Sequence, residues 1–189
     1  MGMPAVHTDW TVDMLDALPD DGQRYELIDG ELFVSPSPNL QHQYIVLRLS
    51  ARLDAYLRGR GVGRVVASPS DVRRGDRKRN RVQPDIHVTG YENGERPDYP
   101  YELSKLLFVI EVVSPSNPRY DHETKRDLYL REGVPLYWII DPPTQTVTVW
   151  RRLDAPPEIA AERVEWWPAG ASEPFVLDIP EFFADAYRD

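Results

Sequence analysis

The sequence contains no cysteine among its 189 residues. Disulfide bonds, catalytic thiolates and cysteine-ligated zinc or iron–sulfur sites are therefore excluded. Long apolar runs are also missing, because every run falls far short of the roughly twenty residues that a membrane-spanning helix needs. The first ten residues lack the basic segment and apolar core of a secretory signal. We therefore expect a cytoplasmic protein that does not associate with membranes.

A surplus of positive charge is missing as well. The formal net charge is −9, which argues against a protein that coats nucleic acid by general electrostatic attraction. A local site is not excluded, since one strongly basic segment, DVRRGDRKRNRV, runs from Asp71 to Val82. This segment is either a solvated charged loop or a surface that contacts phosphate groups. Its basic residues are Arg73, Arg74, Arg77, Lys78, Arg79 and Arg81.

Turn and helix signals organise the first half of the chain. With 41% hydrophobic residues the chain can build one core, and we expect a single domain over residues 1–189. The dipeptide Asp29-Gly30 lies between two short apolar runs, 25–28 and 31–34, and predicts a hairpin with a type I′ turn. Further predictions here are a short helix over 9–19, a long helix over 40–58, and strands over 62–68 and 82–89 with the basic segment as a loop between them.

The second half alternates apolar strands with one strong helix signal. Asn117 is a suitable N-cap and Pro118 a suitable first residue for a helix that ends at Glu132. This helix joins two apolar strands, which the right-handed crossover rule makes parallel. The order of elements predicts a mixed α/β fold. The other predictions are strands over 106–113, 135–140, 147–151, 163–167 and 175–179, and a closing helix over 180–187 with Phe182, Phe183 and Tyr187 turned inward.

A carboxylate lies inside the most apolar of these strands. Glu111 falls within the run from Leu106 to Val113, which is rich in β-branched residues and predicts a buried central strand. An unpaired charge in the interior of a sheet is costly, so such a group is usually paired, protonated or bound to a metal ion. Glu111 is therefore the first candidate site residue.

Asp85 is the second candidate. It follows Pro84, which cannot donate to a sheet ladder, so this end of the strand should lie at an edge or a distortion. If the two strands are neighbours, the carboxylates of Asp85 and Glu111 converge and suit a hard cation such as Mg²⁺ or Mn²⁺. Each residue taken alone could equally be a capped or paired carboxylate.

The helix after Glu111 adds a lysine. Asp121, Lys125 and Tyr129 recur at four-residue spacing and so share one face of this helix. Because the helix begins soon after Glu111, its first turns pass close to the carboxylates. A lysine there could polarise a water molecule or balance the charge of a phosphoryl transition state. The alternative is an ordinary surface pair between Asp121 and Lys125.

Several short motifs occur together in a fixed order. They are Tyr25-Glu26-Leu27-Ile28-Asp29-Gly30-Glu31-Leu32, Ser35-Pro36, His42, Pro84-Asp85, Glu111-Val112-Val113-Ser114-Pro115-Ser116, Asp121, Lys125, Tyr129, Gly133-Val134-Pro135 and Tyr137-Trp138. The ordered set resembles the Uma-two family of restriction-endonuclease-like proteins, within the PD-(D/E)XK nuclease superfamily. The resemblance extends over about residues 10 to 180.

The resemblance implies a restriction-endonuclease-like core of mixed β-sheet flanked by helices, with an N-terminal hairpin and a C-terminal β extension. It also implies a divalent metal ion held by Asp85, Glu111 and the carbonyl group of Val112, and hydrolysis of a DNA phosphodiester. It further places Glu31 and His42 near the site, although a histidine near a helix start is more often an ordinary cap or surface residue.

The chain departs from the superfamily pattern at one position. Two residues after the acidic ligand, where that pattern has a lysine, this chain has Val113. Lys125 on the next helix looks like its replacement, as in the Uma-two pattern.

The leading hypothesis is a Mg²⁺- or Mn²⁺-dependent endonuclease that acts on DNA. Asp85, Glu111 and Lys125 would carry catalysis, Asp121 and Tyr129 would orient Lys125, and the basic segment would contact the DNA backbone. Because short chains of this class often pair to cut two strands, we also expect a homodimer. Two alternatives stay open: a catalytically silent DNA-binding or interaction module with a nuclease fold, and a metal-dependent hydrolase of a small phosphoester.

Overall fold

Thirteen β-strands form the framework of the computed structural model, which describes residues 9–35, 37–75, 77–113 and 120–188. The first sheet has five strands in the order β2-β1-β5-β4-β7, and the second has six in the order β11-β10-β9-β8-β6-β3. Strands β12 and β13 pair separately. The strands are β1 Arg24–Ile28, β2 Glu31–Ser35, β3 Gly63–Ala67, β4 Val72–Arg74, β5 Arg77–Val82, β6 Ile86–Gly90, β7 Tyr101–Glu102, β8 Leu106–Val112, β9 Tyr137–Asp141, β10 Thr146–Trp150, β11 Glu158–Ala160, β12 Arg163–Trp166 and β13 Phe175–Asp178.

Helices cover the sheets. A π-helical turn over Tyr120–Lys125 continues directly into α3, and a short 3₁₀ turn at Leu103–Lys105 precedes β8. Among the described residues, no helix is both long enough and apolar enough to cross a membrane. The α-helices are α1 Val12–Asp16, α2 Leu40–Leu57, α3 Arg126–Arg131 and α4 Ile179–Ala186.

The predicted mixed α/β fold with helix-flanked mixed sheets is confirmed. Asp29 and Gly30 have φ angles of 51° and 87°, as the type I′ turn of the β1–β2 hairpin requires. Strands β8 and β9 are parallel, with Glu111 opposite Ile139, and β10 returns antiparallel to β9. The hairpin and crossover predictions were therefore correct.

The second sheet separates two apolar cores. On β8, the side chains of Phe108, Ile110 and Val112 join the core under α2 and α4. The alternate residues Val109 and Val113 join the core that the first sheet and α3 cover. Since side chains alternate along a strand, Glu111 faces the second core.

Three of the sequence predictions differ from the structure. The predicted strand 82–89 breaks at Gln83-Pro84-Asp85, where the chain passes from β5 in the first sheet to β6 in the second, because Pro84 cannot donate to a ladder. The predicted basic loop instead forms strands β4 and β5, which pair antiparallel. Tyr187 lies just beyond α4 and is 36% exposed, although its ring centroid is 5.7 Å from that of Phe183.

The predicted start of the crossover helix, with its cap at Asn117 and Pro118, lies outside the described residues. The short first helix covers only Val12–Asp16, with the Thr11 hydroxyl accepting a hydrogen bond from the Met14 N–H. The long second helix agrees with its prediction and is capped by Asn39, whose side chain accepts from the His42 N–H.

Candidate active site

The link between the two sheets brings Asp85 beside Glu111. Ile86 in β6 lies opposite Ile110 in β8, so the residues next to them meet at the end of both strands. The Asp85 N–H donates to Glu111 Oε2 at 3.2 Å, and the Val112 N–H donates to Asp85 Oδ2 at 2.9 Å. Both carboxylates are buried. The two acidic residues singled out in the sequence therefore lie in direct contact.

Lys125 reaches the same point from the π-helical turn. Its Nζ atom lies 2.9 Å from Glu111 Oε1 and 3.6 Å from Asp121 Oδ1, and the residue is only 2% exposed. Tyr129, one turn further along, donates its hydroxyl hydrogen to Glu111 Oε1 at 2.8 Å. The sequence interpretation had Tyr129 orient Lys125, whereas its hydrogen bond holds Glu111 instead. Segments of π-helix are rare and often occur at functional sites.

Two site residues on β1 were missed by the sequence interpretation. The Arg24 guanidinium donates from both terminal nitrogens to Asp85 Oδ1, at 2.9 and 2.8 Å. Glu26 is buried, with Oε1 accepting from the Gln83 N–H at 2.7 Å and Oε2 lying 3.3 Å from Lys125 Nζ. For Glu26 the available signal was the one that identified Glu111, namely a charged residue between the apolar residues of a strand, whereas Arg24 follows Gln23 and carries no such signal. The sequence interpretation used this signal for the strand of Glu111 but not for the first hairpin.

The two residues placed near the site by resemblance have different positions. His42, near the start of α2, has Nε2 3.0 Å from Asp85 Oδ2 and lies in the cluster. Glu31 lies at the far end of β2, opposite Ile28 and next to the hairpin turn. Of the described residues, those that line the site cavity do not include Glu31.

A cavity of about 310 Å³ opens onto this cluster. Its walls come from β1, the residues before α2 and its first turn, the end of β8, the π-helical turn and the prolines after β9. The lining residues are Arg24, Glu26, Ser35, Ser37, Pro38, Asn39, Gln41, His42, Asp85, Glu111, Val112, Val113, Tyr120, Asp121, Lys125, Pro142 and Pro143.

The cluster carries more buried acid than base. Four carboxylates, those of Glu26, Asp85, Glu111 and Asp121, face the permanent cations Arg24 and Lys125, with His42 as a third basic group. When all four carboxylates are ionised, they carry two more negative charges than Arg24 and Lys125 carry positive charges. Such a surplus in a buried site attracts a divalent cation.

Burial and the neighbouring charges shift the pKa values of three of these carboxylates. Burial raises the pKa of Glu111 to about 8 and that of Asp121 to about 6, against the opposing charge of Lys125. Burial alone would also raise the pKa of Asp85, but the hydrogen bond from His42 and the charge of Arg24 outweigh it and hold that pKa well below its usual range.

Lys125 remains protonated at neutral pH. Burial would lower the pKa of Lys125, but the charges of Glu111, Glu26 and Asp121 outweigh it and raise that pKa. Lys125 is therefore a cation and a hydrogen-bond donor at neutral pH, and it cannot act as a general base there.

The donor set suits a hard divalent cation. Carboxylate oxygens are the ligands that Mg²⁺ and Mn²⁺ prefer, and the buried Glu26 Oε2 has no hydrogen-bond partner among the described residues. In the arrangement observed, no three His, Asp or Glu side chains of the described residues already enclose an ion position. The reason is local, because both oxygens of Asp85 accept hydrogen bonds, from Arg24, His42 and the Val112 N–H. The residues thus fit the ion if Arg24 moves off Asp85.

The basic segment is largely neutralised by nearby acids. Arg74 Nε lies 2.5 Å from Glu132 Oε2, and Lys78 Nζ lies 2.7 Å from Asp13 Oδ2. The remaining described pairs are Arg73 with Asp16 and Asp71, Arg79 with Asp9, and Arg81 with Asp16 and Asp71. The side chain of Arg77 is outside the described part. These pairs attach α1 to the β4–β5 hairpin.

Comparison with known proteins gives one family. The model of the Uma2 family, described as "Putative restriction endonuclease", matches residues 12–173. No curated protein matches the chain. A solved structure described as a "putative nuclease belonging to DUF820", from Anabaena variabilis, is 26% identical in sequence, with a TM-score of 0.75, and the match covers 93% of this chain and 98% of that one.

Proposed function

Because this chain belongs to the Uma2 family of restriction-endonuclease-like proteins, we propose that it is a nuclease that uses Mg²⁺ or Mn²⁺ to hydrolyse phosphodiester bonds of DNA. The observation that carries the proposal is the contact cluster of Asp85, Glu111 and Lys125, in which Lys125 Nζ lies 2.9 Å from Glu111 Oε1. The solved relative described as a nuclease has the same fold.

In this proposal Asp85, Glu111 and the carbonyl group of Val112 hold the metal ion. When bound, such an ion lowers the pKa of a water molecule and stabilises negative charge on a phosphate group. The raised pKa of Lys125 assigns it the role of a cation that donates hydrogen bonds to the nucleophilic water or to the phosphate. Tyr129 fixes Glu111 through its hydrogen bond of 2.8 Å.

Metal binding is tested by calorimetric titration of Mn²⁺ into the wild-type protein and into Asp85→Asn. The proposal predicts one site in the wild type and affinity at least about tenfold weaker in the variant, because a charged ligand is lost. Arg52→Gln is a control outside the site, since Arg52 pairs with Glu181 and Asp185 of α4. Equal affinity in the wild type and Asp85→Asn would contradict the assignment of Asp85 as a ligand.

The DNA contact proposed for the hairpin residues Arg73 to Arg81 needs its own test. Lys78 is an exposed member of this segment, and its present partner Asp13 is exposed as well. If Lys78 contacts a phosphate group, Lys78→Ala should reduce the slope of log affinity against log salt by about one. An unchanged slope would show that Lys78 pairs with Asp13 of α1 and does not contact a phosphate group.

A second candidate function is a DNA-binding or interaction module without turnover. Its supporting observation is that the oxygens of Asp85 are already engaged by Arg24, His42 and the Val112 N–H. In that case Mn²⁺ would not bind, while DNA affinity would persist in EDTA. The same calorimetric titration therefore separates the two functions.

We also propose that two copies pair through the outer face of α2. Leu40, Tyr44 and Leu47 are 71%, 45% and 61% exposed, and their spacing places them on one stripe. Apolar residues at alternating spacings of four and three are typical of helix-to-helix contacts. The stripe begins beside the residues of α2 that line the cavity.

A further inference from the structure

Tyr120 lines the site cavity, and its buried hydroxyl group has no hydrogen-bond partner among the described residues. Tyr120 is the first residue of the π-helical turn and is 5% exposed. A buried hydroxyl without a partner is costly, and most buried polar groups in folded proteins are satisfied. The unmade hydrogen bond of Tyr120 therefore points to a ligand that supplies the acceptor.

Two neighbouring buried tyrosines make the contrast clear. The Tyr129 hydroxyl donates to Glu111 Oε1 at 2.8 Å, and the Tyr137 hydroxyl donates to the carbonyl oxygen of Asp121 at 2.9 Å. All three tyrosines are buried near the same acidic cluster. Of these three tyrosines, Tyr120 is the one that lines the cavity, and its hydroxyl has no hydrogen-bond partner among the described residues.

Two side chains contact the ring of Tyr120. Phe33 stacks on it with ring centroids 4.4 Å apart and an interplanar angle of 26°. Lys125 Nζ lies 4.9 Å from the ring centroid, within the range of a cation–π contact. These contacts hold the ring in place, so the hydroxyl donor of this cavity-lining residue is positioned before any ligand enters.

Arg24 offers a second unused donor in the same cavity. Its terminal nitrogens bind Asp85, but its buried Nε has no hydrogen-bond partner among the described residues. Its nearest acid there is Glu26 Oε2 at 4.0 Å, which is beyond hydrogen-bond distance. A guanidinium N–H can only donate. The cavity therefore presents two unmade donors from different elements.

We propose that Tyr120 and Arg24 form a subsite that binds a non-bridging phosphodiester oxygen of the nucleic-acid substrate. Such an oxygen is an anionic acceptor and can receive hydrogen bonds from a hydroxyl and a guanidinium at once. The inference rests on the proposed nuclease function and adds to it a substrate-binding role for two residues. Tyr120 and Arg24 both contact the substrate in this proposal, with Arg24 leaving Asp85 as the metal ion binds.

The test uses Tyr120→Phe, which keeps the ring and its contacts with Phe33 and Lys125. Binding of a fluorescein-labelled duplex and a labelled single strand is measured by fluorescence anisotropy with Ca²⁺ in place of Mg²⁺. The dissociation constant should rise about tenfold or more, as expected from the loss of one hydrogen bond to a charged oxygen. The thermal unfolding midpoint should stay equal or rise, because an unpaired buried hydroxyl is removed.

Tyr137→Phe is the matched control, since it removes a hydroxyl that has a partner inside the protein. Its unfolding midpoint should fall while its dissociation constant stays close to that of the wild type. Equal dissociation constants for Tyr120→Phe and a wild type that cuts DNA would overturn the subsite and leave the proposed function standing. A lower midpoint for Tyr120→Phe would also overturn it, by showing a partner inside the protein. A wild type that neither binds nor cuts either probe would contradict both proposals.

Discussion

Lys125 is the residue on which the charge balance of the site depends. Its ammonium group lies within 3.6 Å of three buried carboxylates. Lys125→Met should lower the free energy of unfolding by about 3–5 kcal/mol, because the carboxylates lose their buried counter-charge. Urea unfolding at pH 7 measures this.

Lys105→Met is the matched control for that change. Lys105 forms an ion pair of 2.5 Å with Glu92 on the surface, and exposed pairs contribute at most about 1 kcal/mol. Similar losses in both variants would show that the Lys125 cluster is solvated, contrary to its burial.

His87 gives the protein a pH dependence that lies outside the acidic cluster. It is fully buried on β6, neither ring nitrogen has a hydrogen-bond partner among the described residues, and burial lowers its pKa from 6.5 to about 4. Because the lowered pKa makes His87 bind a proton more readily in the unfolded state, protonation favours unfolding. The contribution of neutral His87 to the free energy of unfolding is therefore complete above pH 6.5 and is lost as the pH falls toward 4.

His87→Leu tests this dependence. Between pH 7.5 and pH 4.5 the wild type should lose about 2–3 kcal/mol more unfolding free energy than the variant. Urea unfolding at the two pH values measures the difference. Equal losses in both proteins would show that His87 is protonated or solvated in the folded state.

At the scale of elements, the pairing of β3 with β6 supports the strand that follows Asp85. Gly63 lies opposite Gly90, and a Cβ atom added at Gly63 would come 2.4 Å from the backbone oxygen of Thr89. Gly63→Ala should therefore lower the free energy of unfolding by about 2 kcal/mol or more, because the backbone at Gly63 or Thr89 must shift.

Gly90→Ala is the control on the facing strand. Its added Cβ would meet the Leu107 side chain, at 3.4 Å. Gly90→Ala should therefore lower the free energy of unfolding by only about 1 kcal/mol. Thermal unfolding of both variants compares them. An equally stable Gly63→Ala would contradict the close approach of β3 to β6.

Local signals explain which elements could be predicted from the sequence. The Asp29-Gly30 turn and the crossover helix between β8 and β9 are encoded within a few residues, and both predictions were correct. The basic segment forms strands β4 and β5, and its charges pair with Asp13, Asp16 and Glu132. Those partners are distant in sequence, so no local pattern revealed them.

The residues of the candidate site likewise divide into those with a local sequence signal and those without one. Asp85 and Glu111 could be found because each interrupts a strong strand signal, and Lys125 because it follows on a helix face. Glu26 and Arg24 enter the cluster through the pairing of β1 with β5 and the passage of the chain between the sheets. Long-range pairing of this kind is not readable from residue spacing.

For the whole molecule, the apolar stripe of α2 predicts pairing of two copies. Leu47→Glu places a charge on the stripe, so it should convert dimers to monomers at micromolar concentration. Sedimentation velocity measures the change, with Leu153→Glu as a control at an exposed leucine outside α2. A wild type that sediments only as a monomer would contradict the pairing.

The central claim is that Asp85, Glu111 and Lys125 form a metal-dependent nuclease site. Nicking of supercoiled plasmid in Mn²⁺ tests it most directly, with the wild type compared with Glu111→Gln, whose folding is verified by circular dichroism. We predict nicking by the wild type that EDTA abolishes, and a rate at least about a hundredfold lower in the variant. Equal nicking by both proteins, or none by the wild type, would contradict the claim.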